Sequence, residues 1–210
     1  MKNIILIFFA GLSVIFSQES YSQTLGVKAG LNLSNVVSKN NPADFILQPG
    51  FHAGASAEFP VNRAILFEMD LLISTKGYRE RSEIQFVKMR EDVRSYYLEV
   101  PLQAKAFFEI PTMTLSVSAG PYLGFGIYGK DKGSINAYGD LSSWSNKIAW
   151  GSQLKRFDYG LVFGPGVQIK HLQISLSYGL GIANISPFST IKIHNRVTEI
   201  SVGYKFLEPD

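Results

Sequence analysis

The stretch "RFDYGLVFGPGVQI", residues 156–169, decides the fold, because its side chains alternate between two different characters. One side is mostly large and apolar: Phe157, Tyr159, Leu161, Phe163, Pro165, Val167 and Ile169. The other side carries Arg156, Asp158, Gly160, Val162, Gly164, Gly166 and Gln168. A period of two is typical of a β-strand with one face shielded from water. The fold therefore depends on whether the apolar face meets protein or lipid.

Seven further stretches alternate in the same way, which predicts eight strands in total. In chain order the strands are residues 25–34, 51–59, 65–74, 96–106, 115–127, 156–169, 174–182 and 198–206. Their connections alternate in length, with short ones at 60–63, 109–113 and 170–172 and long ones at 38–48, 78–93, 130–153 and 186–196. Short turns at one end and long loops at the other are typical of outer-membrane barrels. The sequence predicts an all-β, eight-stranded, antiparallel up-and-down transmembrane β-barrel.

The composition of the polar face predicts that the apolar face meets lipid. Gly and Ser dominate the polar face, and small residues suit the narrow lumen of an eight-stranded barrel, whereas a water-exposed exterior would be rich in Lys and Glu. The charges on that face have both signs and must pair if they are buried. We expect a structural charge network in the lumen, formed by Lys28, Glu58, Glu68, Asp70, Glu99, Lys105, Arg156, Asp158, Glu199 and Lys205. The alternative is a soluble, lipocalin-like periplasmic barrel with an apolar interior that binds a small apolar ligand.

The N-terminus has the pattern of a cleaved signal peptide. Lys2 precedes a short apolar run at 4–16, and Ser20 and Ser22 stand at the small-residue positions of a cleavage site. We expect a signal peptide at 1–22 and a barrel domain at 23–210. The chain has no cysteine, which excludes disulfides, thiolate metal sites and lipoprotein acylation.

Neither nucleic-acid binding nor catalysis is indicated by the residues. The net charge is only +3, and no basic segment is interleaved with aromatics. An enzyme at the barrel rim would need a group such as His194 with Ser186, Ser189 and Asn195, but no motif fixes a triad there. Metal-ligand spacing is also missing from the sequence. We expect no enzyme, cofactor or metal site, and the rim enzyme stays as a less favoured alternative.

The long loops are the candidates for recognition. The loop at 130–153 places Tyr138, Trp144 and Trp150 among Gly and Ser, a composition suited to contact surfaces, or to packing over the barrel mouth. The segment 78–94 carries many charges of both signs and suits a solvated hairpin or contacts with charged surface glycolipid. The expected partners are outer-membrane lipid and, at the loops, an envelope protein or glycolipid.

Three prolines lie within predicted strands, where proline offers no N–H to the ladder. We expect Pro101, Pro121 and Pro165 to mark bulges or strand ends near a rim.

Five blocks of sequence resemble the porin-family outer-membrane β-barrel proteins of the PorT-like type. They are "TLGVKAGLNLS", "YYLEVPLQAKAFF", "SAGPYLGFGIYG", "RFDYGLVFGPGVQI" and "TEISVGYKF". The resemblance covers essentially all of 23–210 and implies an eight-stranded barrel in a Gram-negative outer membrane. It implies no known activity, although one relative is an accessory in protein secretion. The expected function is that of a non-enzymatic integral barrel, structural or accessory, whose external loops contact a partner.

Overall fold

The computed structural model describes residues 23–39, 44–84, 87–188 and 190–207, which form one antiparallel sheet of ten strands. The strands are β1 (Thr24–Lys39), β2 (Asp44–Ile46), β3 (Gln48–Pro60), β4 (Ile65–Ile84), β5 (Val87–Ile110), β6 (Met113–Ala137), β7 (Asp140–Lys147), β8 (Phe157–Ile169), β9 (Leu172–Gly181) and β10 (Lys192–Leu207). Eight of them close a ring in the order β4-β3-β1-β10-β9-β8-β6-β5, because β5 pairs back onto β4. The predicted eight-stranded barrel is confirmed. The predicted signal peptide lies outside the described residues.

The ring has a turn end and a loop end. At the turn end, residues 61–64, 111–112 and 170–171 connect neighbouring strands. At the loop end some strands extend beyond the closed ring. Strands β4 and β5 stay paired as far as Ile84 and Val87, and β7 pairs with the last part of β6. We call residues 76–84, 87–95, 129–137 and 140–147 the extension. The prediction of loops at 78–93 and 130–153 was therefore wrong for most of these residues, because their backbones continue the hydrogen-bonded ladders of the ring.

The two faces of the barrel wall are reversed relative to a soluble protein. On the outer face, Val117 is 54% exposed and Leu123 is 56% exposed. On the inner face, Asn32 is 0% exposed and Asp70 is 2% exposed. Hydrocarbon is the surrounding in which an apolar exterior and a polar interior are both stable. The predicted orientation is confirmed, and the alternative of an apolar interior does not hold.

The three prolines lie inside strands rather than at a rim, and each sits beside an interruption of a ladder. At Pro165, for example, the pairing of β8 with β9 breaks between Phe163 and Gly166. Strand β9 approaches β8 closely at that point. A Cβ atom added to Gly164 would lie only 1.9 Å from the carbonyl oxygen of Leu176 on β9. The missing N–H of proline is therefore accommodated where the strands do not form regular pairs.

Candidate functional site

The lumen near the turn end holds a network of alternating charges. Lys28 contacts Glu68 and, at 2.6 Å, Asp70. Lys105 contacts Glu68 as well, and its Nζ lies 2.7 Å from an oxygen of Glu58. Glu58 also binds Nζ of Lys205 at 2.5 Å. The structure thus joins six of the predicted lumen residues, three lysines and three carboxylates, into one cluster that we call the lower cluster. Because all six are buried, each charge depends on its neighbours for compensation.

A second group, the upper cluster, lies nearer the loop end around Lys76. Its Nζ is 2.7 Å from Glu99 and 3.0 Å from Asp158, and it lies 4.0 Å from the ring centre of Tyr122. The amide of Asn195 donates a further hydrogen bond of 2.9 Å to Asp158.

Lys76 was missed from the sequence because the third strand was predicted to end at Ser74. The signal was present, since Lys76 continues the inward positions of Glu68, Asp70 and Ser74 along β4.

Two predicted members of the lumen network do not join it. Arg156 precedes the first residue of β8 and is exposed; its guanidinium donates to the carbonyl of Gly126 and lies 5.6 Å from the ring centre of Trp150. Placing it in the lumen was wrong, because the inward alternation begins only with the strand itself. Glu199 is half-buried on β10, and among the described residues no cation lies within 4 Å of it.

Three polar side chains on the inner wall form a hydrogen-bonded series with the order of a nucleophile, base and orienter. Ser201 Oγ is 2.9 Å from His52 Nε2, and His52 Nδ1 is 2.6 Å from Asn32 Oδ1. All three side chains are buried, so a substrate has no route to the hydroxyl. This series therefore links the three neighbouring strands β3, β1 and β10 along the inner wall.

The group of His194, Ser186 and Asn195, which the sequence offered as an alternative enzyme site at the rim, does not come together in the structure. His194 Nδ1 lies 3.0 Å from the carbonyl of Ala183, and Asn195 turns to Asp158 in the upper cluster. Ser186 hydrogen-bonds within its own loop, to Phe188. Ser189 lies outside the described residues.

The loop end of the lumen is closed by a group of apolar side chains that we call the mouth cluster. Its buried members are Val36, Val93, Ile148, Leu154 and Ile185, and Tyr78, Trp150 and Ile193 pack against them. The indole of Trp150 lies against Gly126 and meets the Tyr97 ring edge-on at 6.0 Å. Trp150 therefore packs over the mouth, which was the alternative to a recognition role.

The turn end of the lumen contains a cavity that ends at the lower cluster. A cavity of about 280 Å³ is lined by Lys105, Lys205, Gln168 and Gln173, among others. The described residues thus place a polar vestibule, two charged clusters and an apolar closure in series along the barrel axis.

The other two aromatic candidates lie on the hairpin of β6 and β7. Tyr138 and Gly139 form its two-residue turn with positive φ angles of 54° and 97°, and Tyr138 is 82% exposed. Trp144 instead lies over Gly133, and its Nε1 donates to Asp131 at 3.3 Å. Of the three predicted recognition residues, Tyr138 is thus the one that projects from the protein.

Carboxyl groups gather on the inward face of the extension. Glu91 lies opposite Glu80 in the ladder, and Glu91 and Asp131 line a cavity of about 260 Å³ beside Tyr78. Burial, and then the neighbouring carboxylates of Asp131 and Glu80, raise the pKa of Glu91 to about 7.

This shift predicts that the extension is more stable at mildly acidic pH than at alkaline pH. A carboxyl with a raised folded-state pKa stabilises the fold fully below its unfolded-state value of 4.5, and that stabilisation is lost as the pH rises through about 7. Amide hydrogen exchange in residues 87–95, corrected for intrinsic rates, should therefore show more protection at pH 5.5 than at pH 8. Glu91→Gln should remove the difference, and Glu83→Gln, at an exposed ion pair, should keep it. An unchanged pH dependence in Glu91→Gln would contradict the assignment.

Two further features concern the described residues: groups of metal ligands and membrane-spanning helices. No group of three or more histidine, aspartate or glutamate side chains in this part of the chain could hold a metal ion. The same residues contain no α-helix with the length and hydropathy of a bilayer span.

Similarities to solved structures are found at low sequence identity. The chain is similar at the level of fold to the attachment invasion locus protein Ail of Yersinia pestis, with 15% identity, 89% of this chain and 100% of that chain covered, and a TM-score of 0.40. OprG of Pseudomonas aeruginosa has 13% identity and a TM-score of 0.49, with 89% of this chain and 97% of that chain covered. The neisserial surface protein NspA has 16% identity and a TM-score of 0.44, with 87% of this chain and 97% of that chain covered. Among curated proteins, no sequence matches the chain.

A family model described as the outer membrane protein beta-barrel domain matches residues 16–186, which is most of the chain. With the closed ring, the apolar exterior and the short turns at one end, this match places the protein in the outer membrane. The chain belongs to the outer-membrane protein β-barrel domain family.

Proposed function

We propose that this protein is a non-enzymatic, non-conducting barrel with a structural or accessory role, and that it acts through contacts of its extracellular extension with a partner. The main support for this proposal is that side chains fill the lumen along its length. The lower cluster, the upper cluster and the mouth cluster follow one another from the turn end to the loop end. An eight-stranded barrel has an interior that side chains fill, so ion pairs in this position stabilise the wall rather than line a path.

The burial of the serine–histidine contact supports the non-enzymatic part of the proposal. Ser201 and His52, which form this contact in the described part of the chain, are enclosed by the barrel wall. By contrast, the extension exposes an ordered surface beyond the lipid, with Tyr138 and Leu141 (71% exposed) at its tip. Large apolar groups on an ordered polar surface are a common feature of protein contact sites.

The resemblance of the strand sequences supports a finer assignment to the PorT-like type, in which an accessory role is the expected one. The proposal includes export by a signal peptide at 1–22, cleaved before Gln23. With the short turns facing the periplasm, the extension faces the cell exterior.

The non-conducting part is tested in planar lipid bilayers containing the purified mature protein, with a sixteen-stranded porin as the positive control. We expect no discrete conductance steps for this protein under conditions where the porin gives regular ones. Regular steps that scale with the amount of inserted protein would overturn this part of the proposal.

The partner contact is tested with a photoreactive amino acid at Tyr138 in intact cells. We expect a discrete protein adduct from position 138 and none from position 123, where the lipid-facing Leu123 serves as the matched control. Identical adduct patterns at the two positions, or no adduct at 138, would overturn the contact.

A further inference from the structure

The outward face of the extension is strongly basic. Residues directly opposite each other in an antiparallel ladder share a face, and the ladders of β4–β7 place the same sign of charge side by side. Row by row, the charged residues of the outward face are Arg94, Lys130 and Lys147; Arg79, Asp92 and Lys132; Arg81 and Arg90; and Glu83 and Lys88. Within these four strands the face carries eight cations and two carboxylates.

Between the described side chains, internal ion pairs account for two of these cations. Arg79 binds Asp92 at 3.2 Å, and Lys88 binds Glu83 at 2.6 Å. Among the described residues, no carboxylate lies within 4 Å of the remaining six cations, which are Arg81, Arg90, Arg94, Lys130, Lys132 and Lys147. Six like charges on one small sheet repel each other unless anions lie between them.

Three further carboxylates of the extension lie on the opposite face. Glu80, Glu91 and Asp131 occupy the inward positions between the rows of cations, beside the mouth cluster. The outward face therefore has a large excess of cations, whereas these three carboxylates gather on the inward face. A solvated hairpin without a partner would not need this uneven distribution.

The basic face starts where the lipid-facing belt ends. The outward rings of Phe51, Tyr96 and Tyr128 pack at 6.3 Å and 5.8 Å, in the manner of an aromatic girdle at the level of the head groups. Arg94 lies two residues beyond Tyr96 on the same face, and Arg90 lies four residues further. At about 3.4 Å per residue, the six cations without an internal ion pair lie roughly 7–20 Å beyond the girdle, measured along the tilted strands. They point away from the barrel, toward the neighbouring lipids of the outer leaflet.

We propose that this outward basic face binds the phosphate groups of anionic glycolipids in the surrounding outer leaflet. The inference rests on the proposed function and specifies one partner of the same extension. Arginine suits this contact, because its planar fork donates two hydrogen bonds to one phosphate and is weakly hydrated. Several lysines and arginines at different heights fit head groups that carry more than one phosphate. Bound phosphates would offset the repulsion among the six cations and fix the extension against the membrane surface.

The test uses the purified mature protein in detergent micelles, with diphosphorylated lipid A and fully dephosphorylated lipid A as probes and native mass spectrometry as the readout. We expect the protein to retain the diphosphorylated lipid and not the dephosphorylated one. The triple variant Arg81→Gln/Arg90→Gln/Lys132→Gln should weaken binding by roughly tenfold or more, since several charge-assisted contacts are lost together. A matched variant, Lys155→Gln/Lys170→Gln, changes exposed lysines away from this face and should bind as the parent does.

Free inorganic phosphate at the same concentration should not bind measurably, because the site is spread over several strands and needs a membrane-anchored ligand. Equal binding of the two lipids, or unchanged binding by the triple variant with normal heat-modifiable mobility on gels, would overturn the proposal. Neither result would affect the conductance or crosslinking tests, so the two proposals fail separately.

Discussion

Replacing Lys76 with methionine should lower the free energy of unfolding by about 3–5 kcal/mol, because it leaves two buried carboxylates without their cation. Lys76 is 2% exposed and bridges Glu99 on β5 and Asp158 on β8. Methionine keeps most of the side-chain volume, so the loss of charge dominates the effect. Urea titration of the protein in lipid vesicles, followed by the heat-modifiable mobility on gels, measures the change.

Two further variants separate charge from packing. Lys88→Met removes the cation of an exposed pair with Glu83 and should cost less than about 1 kcal/mol. The triple variant Lys76→Met/Glu99→Gln/Asp158→Asn should regain most of the lost stability, because replacing a whole buried ion cluster is far less costly than breaking it. If the triple variant is no more stable than Lys76→Met, the charges are not the source of the effect.

Placing arginine at Leu176 should cost about 2–4 kcal/mol, since this residue lies halfway along β9 on the lipid-facing side. Its neighbour Ile200 on β10 is also outward, and both side chains are about half exposed. A guanidinium at this depth must leave water or distort the bilayer. The same urea titration in vesicles gives the magnitude.

Leu172 provides a matched control within the same strand. It is the same residue type on the same face, with 43% exposure against 48% for Leu176, but it follows directly on the turn at 170–171. Arginine at Leu172 should cost only about 0–1 kcal/mol, because the membrane interface accepts a charged head group. Equal costs at both positions would mean that depth in a bilayer does not decide the energetics of this face.

The ring could be predicted from the sequence because two constraints act on every membrane-spanning residue. Alternate positions must be apolar to meet hydrocarbon, and those between them must be small or ion-paired to fit a narrow lumen. Most positions of the strand at 156–169 and of its seven counterparts satisfy these constraints, although Val162, Tyr97 and Tyr122 are larger buried residues. The direction in which the faces point followed from the Gly and Ser content rather than from the alternation itself.

The extension could not be predicted in the same way, because its strands continue past the hydrocarbon. Beyond the lipid, the hydropathy contrast between the faces is lost, so 78–94 looks like a charged loop although residues 78–84 and 87–93 pair with each other. The sign of the charge replaces hydropathy as the alternating property: Arg79 and Arg81 point outward, and Glu80 between them points inward. A prediction from polarity alone therefore places the end of the third strand at Ser74 and leaves Lys76 outside it.

The site residues were predictable where they lie within strands and not where they lie next to strands. Lys28 and Glu68 follow from strand parity alone. Arg156 and Trp150 do not, because the connection between β7 and β8 folds back over the mouth, and no periodicity in the sequence describes that path.

The central claim is that the apolar face meets acyl chains while paired ions fill the interior, and lipid quenching tests it most directly. The chain has no native cysteine, so a fluorescent thiol label can be attached at Leu123→Cys and, as the reference, at Tyr138→Cys. In vesicles of lipids brominated on the acyl chains, we expect strong quenching of the label at 123 and none at 138. A label at 123 that keeps its full fluorescence in these vesicles would contradict the claim.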